Sequence, residues 1–382
     1  MQCQNCGYVF NSTFNLEAIS KEYQSDGYYS RKIVSKAMGG AIKIIKDKIC
    51  NYINKDSVCL EVAPGSGDML NALIQDVKFY YTVDPSLVSL EIEGAANLQH
   101  IQGFFNYQEI KDKIKHKVDF ILFRHLLEHI NTPLSFLKEV ASLLHDDGVA
   151  YIEVPNFSEI VNHNRFYEIT NDHCGYYQEN VLINTMSKLG FELTEIIILF
   201  REQHMGLFFK KSSNHKNSYP LDFKRFDNTL EKKFNKTKNY LETLLESYKE
   251  IAIYGAGGHG NSLANYLENP KNIKRCFDLD ARKQGKYLQN SNILIQEPNE
   301  VNFDNIECII IASPLYEKEI IDSLRQKGFT GDIIATEKEL MFAKFPPPPP
   351  RAYLSFYHIS ILLFPKIFSN DTKKTKNPLH TR

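Results

Sequence analysis

The chain is predicted to be an α/β protein carrying two Rossmann-like sheets, the second smaller than the first, and three observations predict it. The apolar run Val58-Cys59-Leu60-Glu61-Val62 ends in a turn with glycines at 65 and 67. Further on, Ile251-Ala252-Ile253-Tyr254 ends in Gly255-x-Gly257-x-x-Gly260. After each turn comes a helical pattern and then a second strand tipped by acid, Asp84 in the first case and Asp278 with Asp280 in the second. Strand, tight glycine turn, helix, strand and carboxylate is the order that brings a helix N-terminus and a ribose-binding acid to one nucleotide.

At 382 residues the chain exceeds one ordinary core and suggests two domains with appendages. With 45 basic and 46 acidic residues there is no net field to recruit nucleic acid or an anionic membrane. The hydrophobic fraction of 43%, the lack of an apolar run of about 18 residues and the absence of a signal-peptide pattern lead to the expectation of a cytoplasmic protein acting on a small molecule. Seven scattered cysteines do not form a disulfide framework, and reduced thiols are expected.

Cys3-Gln4-Asn5-Cys6-Gly7 reads as one zinc-ribbon knuckle, residues 1–14, in which a turn glycine lets amides face thiolate sulfur. One knuckle supplies two ligands where a structural zinc takes four, and no second Cys-x-x-Cys occurs, so no metal is assigned. From 15 to 54 the spacing is helical, with Ile33, Ala37, Ala41, Ile44, Ile45 and Ile49 along one apolar side as a cap on the sheet. Tyr23, Tyr28 and Tyr29 precede it and are candidates for a substrate entrance.

Alternation then sets in: strand 58–62, helix 67–76, strand 79–83, edge strand 98–102, strand 118–123, helix 132–144 and strand 148–154. Strands separated by helices imply a parallel sheet, with ligands outside the strands' carboxyl ends. Those ends are Glu61 to Gly67, Asp84 and Phe123-Arg124-His125. Gly103-Phe104-Phe105 follows the edge strand, where an aromatic ring would lie against a flat base. Strands 193–199 and 205–209 are expected to close this sheet as an antiparallel edge.

The run Glu61-x-Ala63-x-Gly65-x-Gly67, then Asp84, Asp119-Phe120-Ile121-Leu122 and His125-Leu126-Leu127-Glu128-His129-Ile130, resembles class I S-adenosylmethionine-dependent methyltransferases. Asp147-Gly148 and Ile152-Glu153-Val154-Pro155-Asn156 continue the likeness, and Ala63 stands where glycine is usual. The resemblance implies a class I methyltransferase Rossmann-like sheet over residues 15–211, S-adenosyl-L-methionine as cofactor, and Glu61, Ala63, Gly65, Gly67, Asp84 and Phe104 as the residues that bind it. Residues 166–177 are similar to the histidine-bearing segment of sugar C-methyltransferases. Where that family has Tyr-His-Glu-His, this chain has Thr170-Asn171-Asp172-His173, so that only His173 and the later Tyr176 match.

A polar loop at 210–217 and a helix within 226–250 are expected to link the halves, the linker as a whole covering 212–250. The second glycine turn, with a helix expected over 261–267, opens a domain at 251–344. It resembles the C-terminal Rossmann-like domain of the sugar C-methyltransferases. Five prolines at 346–350 then start an extended tail, 345–382, read as standing outside the fold.

Methyl transfer is an in-line displacement, so the protein must orient donor and acceptor and remove a proton. His125, at a strand's carboxyl end, is one candidate base, and His173 beside Asp172 is the other. Tyr176, Gly255, Gly257 and Gly260 are the candidates for contact with a sugar acceptor, expected to be nucleotide-linked. The acceptor atom stays open between a carbon next to a 4-keto group and a hydroxyl. The competing class is a nucleotide-sugar or nicotinamide-binding protein that uses the second glycine turn without transferring methyl groups.

Overall fold

The computed structural model describes residues 1–17, 19, 36–92, 94–212, 222–227, 229–268, 270–336 and 344–345. Ile33, Tyr23, Tyr28, Tyr29 and the tail beyond Phe345 therefore lie outside the described residues. Residues Met1–Pro346 form one compact unit.

Chain order begins with β1 (Val9–Phe10) and helix α1 (Lys36–Ile49). The first sheet follows as β2 (Val58–Val62), α2 (Asp68–Leu73), β3 (Phe79–Asp84), β4 (Leu98–Gln102), β5 (Val118–Arg124), α3 (Pro133–Leu143) and β6 (Leu144–Pro155). The two-residue β7 (Gly175–Tyr176), helix α4 (Glu179–Lys188), β8 (Phe191–Leu199) and β9 (His204–Lys211) complete it. The strand order is β4-β3-β2-β5-β6-β9-β8. Pairs from β4 to β6 are parallel, while β9 runs antiparallel to both β6 and β8, as the two closing strands predict.

Helices on both faces explain why β2 is buried along its whole length and reads as a nearly continuous apolar run. In β5 the pleat divides the side chains, Phe120 and Leu122 entering one core and Ile121 and Phe123 the other. The helical cap buries Ala41, Ile45 and Ile49, four residues apart. Ile44, expected on that stripe, is instead half exposed, because a step of three from Ala41 rotates it off the buried line.

The second sheet comprises β10 (Ile251–Tyr254), β11 (Ile273–Phe277), β12 (Leu294–Gln296), β13 (Cys308–Ile311), β14 (Asp332–Ile334) and β15 (Lys344–Phe345). Its order is β12-β11-β10-β13-β14-β15, parallel apart from the last pair. Helix α5 (Thr229–Leu245) precedes it, and α6 (Gly258–Tyr266) and α7 (Glu317–Gln326) lie within it. Helix α6 starts at Gly258, three residues before the sequence places it, so the glycine turn is itself the helix entry. Helix α5 is more than a connector, since Leu241 and Leu245 lie in the core under β10.

Two contacts weld the halves around one segment. Phe166 and Tyr167 belong to the second sheet's core, and the Tyr167 hydroxyl donates to the Thr336 carbonyl at 2.5 Å. The Tyr266 hydroxyl donates to the Ile169 carbonyl at 2.5 Å. The stretch that carries Asp172 and His173 is thus held from the second half of the chain. At the N-terminus, Gly7 N–H closes on the Cys3 carbonyl at 3.0 Å, and β1 pairs with β7. Amides of Cys6 and Asn5 lower the Cys3 thiol, as a knuckle should, but neither cysteine joins a group of three or more metal-ligating side chains among the described residues.

Candidate active site

The first glycine turn begins at Glu61, buried at the end of β2. Its carboxylate accepts the Tyr80 hydroxyl at 2.9 Å, and burial pushes its pKa up to about 7 against that hydrogen bond. Ala63 and Gly65 follow, both left-handed, with φ of 57° and 56°. Glycine adopts that conformation freely and alanine at a cost of about 1 kcal/mol, which explains why glycine would fit position 63 as well. Asp84, at the end of β3, takes the Gly65 N–H at 3.2 Å and the Ser86 N–H at 2.7 Å, which fixes its carboxylate at the turn.

A cavity of about 880 Å³ opens here. Its wall includes Glu61, Ala63, Gly65 and Asp84 at one end, and Phe104 is half exposed beside them. Phe105 turns the other way, edge-on to Phe136 at 5.1 Å, so the two phenylalanines divide between ligand wall and core. Gly67 does not line the cavity; with φ of 80° it caps α2 and shapes the turn from behind.

Farther in, β5 delivers His125, whose φ of 51° swings the chain out of the sheet. Its Nε2 lies 3.1 Å from Glu153 Oε1, and Nδ1 lies 3.8 Å from Glu128 Oε1. Glu153 is fully buried on β6, where Arg124 reaches it at 2.5 Å and the Tyr151 hydroxyl donates to it at 3.1 Å. Burial would raise this carboxyl, yet Arg124, His125 and His204 hold it well below the ordinary range. The His204 ring stands edge-on to His125 with centroids 4.6 Å apart.

The 3₁₀ turn Leu127–His129 continues from β5 and meets the loop carrying Asp172 and His173. Cys174 N–H donates to the Glu128 carbonyl at 2.8 Å, and His129 Nδ1 lies 2.9 Å from the Asp172 carbonyl. The His129 and His173 rings are 4.7 Å apart, nearly perpendicular. His125, Asp172 and His173 line one cavity. His129 and Glu128, which the sequence ranks below His125 and His173 as candidates and offers chiefly as helix-cap and scaffold residues, line it too. Glu153 stands in the run 152–156 that continues the family likeness, near the carboxyl end of β6, but the sequence assigns it no role, and His204, at the start of a strand far along the chain, carries no local signal.

The far end of the same cavity is the second glycine turn, with Gly255, Gly257, Asp278, Asp280 and Lys283. Asp278 mirrors Asp84, accepting the Ala256 N–H at 2.8 Å, and Lys283 Nζ sits 3.2 Å from it. The buried Tyr254 hydroxyl has no hydrogen-bond partner among the described residues and belongs to this wall.

Two expected substrate contacts are corrected. Gly260 is not in the wall: a Cβ there would stand 1.9 Å from the Gly255 carbonyl, so the residue is glycine to let α6 close on the turn. Tyr176 is buried, with its hydroxyl bonded to the Thr170 N–H at 3.1 Å, and it faces a separate cleft of about 570 Å³ on the other side of the loop.

Sheet order, the glycine turn after its first strand and the acid ending the next one define the class I S-adenosylmethionine-dependent methyltransferase fold. Residues 37–196 match the family model described as a methyltransferase domain, and residues 203–335 match the one described as a C-methyltransferase C-terminal domain. The chain thus carries a methyltransferase domain followed by a C-methyltransferase C-terminal domain. It is 22% identical over 222 residues to the C-methyltransferase NovU of Streptomyces niveus, covering 53% of each chain. The match thus spans about half of that relative's length. Among solved structures, an S-adenosylmethionine-dependent methyltransferase of Clostridium acetobutylicum aligns at TM-score 0.37 and 14% identity, over 47% of this chain and 94% of that one. The YcgJ protein of Bacillus subtilis aligns at TM-score 0.37 and 13% identity, over 46% of this chain and all of that one (100%).

S-adenosylmethionine is the cofactor of this class, and the residues present fit it. Backbone in the left-handed region keeps side chains out of the turn, Asp84 is fixed at its edge, and an exposed ring, Phe104, stands beside it.

Proposed function

We propose that the chain transfers a methyl group from S-adenosylmethionine to a sugar, carried on a nucleotide, in the making of a deoxysugar or cell-surface polysaccharide. One observation carries the reading: a single cavity runs from the donor turn, past His125 and His173, to the second glycine turn. At about 880 Å³ it lies in the upper part of the roughly 300–1,000 Å³ range of small-molecule pockets, with room for more than the cofactor.

When bound, the cofactor supplies an electrophilic methyl on a sulfonium. The protein's part is orientation and a proton. Glu61, the 63–65 turn, Asp84 and Phe104 would hold the donor, leaving the centre of the cavity to the acceptor. His125 is the proposed base. Glu153 lies 3.1 Å from its Nε2 and Glu128 3.8 Å from its Nδ1, so that two carboxylates would stabilise the imidazolium formed when the ring takes a proton from the acceptor. His173, with Asp172 next to it, lines the same region, and a donor there would stabilise negative charge growing on an acceptor oxygen. Gly255 and Gly257 let a diphosphate approach backbone N–H groups, with Lys283 to offset its charge.

NovU is named a C-methyltransferase. For this chain a carbon acceptor is the first expectation and an oxygen acceptor the second, given that the Tyr-His of the sugar C-methyltransferase segment is replaced by Thr170-Asn171. The test is incubation with methyl-labelled cofactor and a panel of nucleotide-linked 4-keto and 4-hydroxy sugars. Label on carbon or on oxygen separates the two routes. Binding of a nicotinamide cofactor, lost in Gly257→Val, without any binding of S-adenosylmethionine would replace the proposal with the competing reading.

A further inference from the structure

Glu128, His129 and His173 form a donor set of which the proposed methyl transfer calls on His173 alone. Each offers one ligating atom, and the three atoms lie within 4.8 Å of one another. Glu128 is buried, at 2% exposure, while both imidazoles are half-buried at the cavity wall. Two imidazoles and one carboxylate on one side, with the other side open to a cavity, is a set that binds divalent transition cations while leaving positions for a further oxygen ligand.

The surroundings are arranged as such a site needs. His129 Nδ1 is directed at the Asp172 carbonyl, 2.9 Å away, with Asp172 Oδ2 at 3.7 Å. A bond from Nδ1–H fixes the tautomer that leaves Nε2 as the lone-pair nitrogen, and partners of this kind orient the histidines of metal centres. The two chain segments are pinned together by Cys174 N–H and Sγ, which both donate to the Glu128 carbonyl, at 2.8 and 3.3 Å. The Tyr177 hydroxyl donates to the Leu127 carbonyl at 3.2 Å. The ligand geometry is therefore set by backbone anchors and does not depend on long, mobile side chains.

The other group of this composition among the described residues, His125, Glu153 and His204, is built differently. Its carboxylate is already neutralised by Arg124 at 2.5 Å and takes the Tyr151 hydroxyl as well. A second cation there would compete with a formed ion pair.

We infer that Glu128, His129 and His173 bind one divalent transition-metal cation at the centre of the cavity. Its further role, polarising a ketone or hydroxyl oxygen of the acceptor, rests on the methyl-transfer reading; the binding itself does not. The test uses the full chain carrying Cys3→Ser and Cys6→Ser, which removes the knuckle thiolates as rival ligands. Cobalt(II) is titrated in with neither donor nor acceptor present. The expected result is one equivalent bound, with visible d–d absorption, no thiolate charge-transfer band, and displacement by zinc. His173→Ala and His129→Ala are expected to weaken binding by about 100-fold or more, whereas Asp172→Asn, which keeps the main-chain carbonyl that orients His129, should change it little. S-adenosylmethionine binding is measured in each variant as the control for folding, and Glu128→Gln serves as a second ligand variant should either alanine variant fail it. Cobalt affinity unchanged in the folded ligand variants, or no uptake by the parent at millimolar cobalt, overturns the inference. Because the titration needs no turnover, it stands or falls separately from the failure of methyl transfer on every acceptor.

Discussion

Glu61→Gln isolates the buried acid at the donor turn. Burial raises that carboxyl from its ordinary 4.5 to about 7, a gap worth about 3 kcal/mol at about 1.4 kcal/mol per pH unit. The sign follows from where the proton sits. Below pH 4.5 the group is protonated whether the chain is folded or not. Between 4.5 and 7 the folded chain keeps a proton that the unfolded chain gives up, so stability falls as pH rises through this window. Above 7 the whole cost of a buried carboxylate is present. Glutamine keeps an acceptor for the Tyr80 hydroxyl and cannot ionise. Other carboxylates contribute to both proteins and cancel in the difference. The chain has 21 tyrosines and no tryptophan, so urea unfolding is best followed by far-ultraviolet circular dichroism, without cofactor, from pH 5 to pH 8. Stability of the natural protein relative to the variant should fall by about 2.5 kcal/mol across that range. A flat difference, or one that rises with pH, refutes the assignment of a proton to Glu61.

The same acid predicts that S-adenosylmethionine, which brings positive charge to the turn, binds with proton release near pH 6.5, read as a buffer-dependent heat in calorimetry. Gly260→Ala should destabilise by about 2 kcal/mol or more, since its Cβ meets a backbone carbonyl at 1.9 Å. Gly257→Ala has nothing within 4 Å of the added methyl and should leave the urea midpoint unchanged while weakening binding of a nucleotide-linked sugar. Glu153→Ala leaves the part-buried Arg124 at the cavity wall without its carboxylate and should cost about 1–3 kcal/mol in urea unfolding. Phe104→Ala removes a half-exposed ring, so stability should hold while the Kd for S-adenosylmethionine rises by about 3- to 10-fold, measured by equilibrium binding.

Much of the donor end was legible because its determinants are local. A strand, a turn requiring left-handed backbone and an acid on the next strand occupy one short stretch, so Glu61, Ala63, Gly65 and Asp84 could be read together. Helix ends were less legible. The sequence offers Asn261 as the start of α6, but the turn glycines themselves supply the entry at Gly258. Tyr176 matched a family motif and still faces another cleft, because its hydroxyl is committed to Thr170. Ile44 shows the same limit on a smaller scale: apolar spacing names a stripe without naming which neighbour of Ile45 is buried.

By itself, the sequence determined the two α/β sheets, the nature of the donor turn and the histidines worth attention, since period, turn chemistry and strand-end acids act over a few residues. Only the tertiary structure decided that the two glycine turns share one cavity, that Glu153 and His204 gather at His125, and that His173 stands against His129 and Glu128. Those relations depend on Tyr167 and Tyr266 tying the histidine loop to the second sheet and on β9 inserting beside β6, contacts between residues remote along the chain that no local pattern encodes.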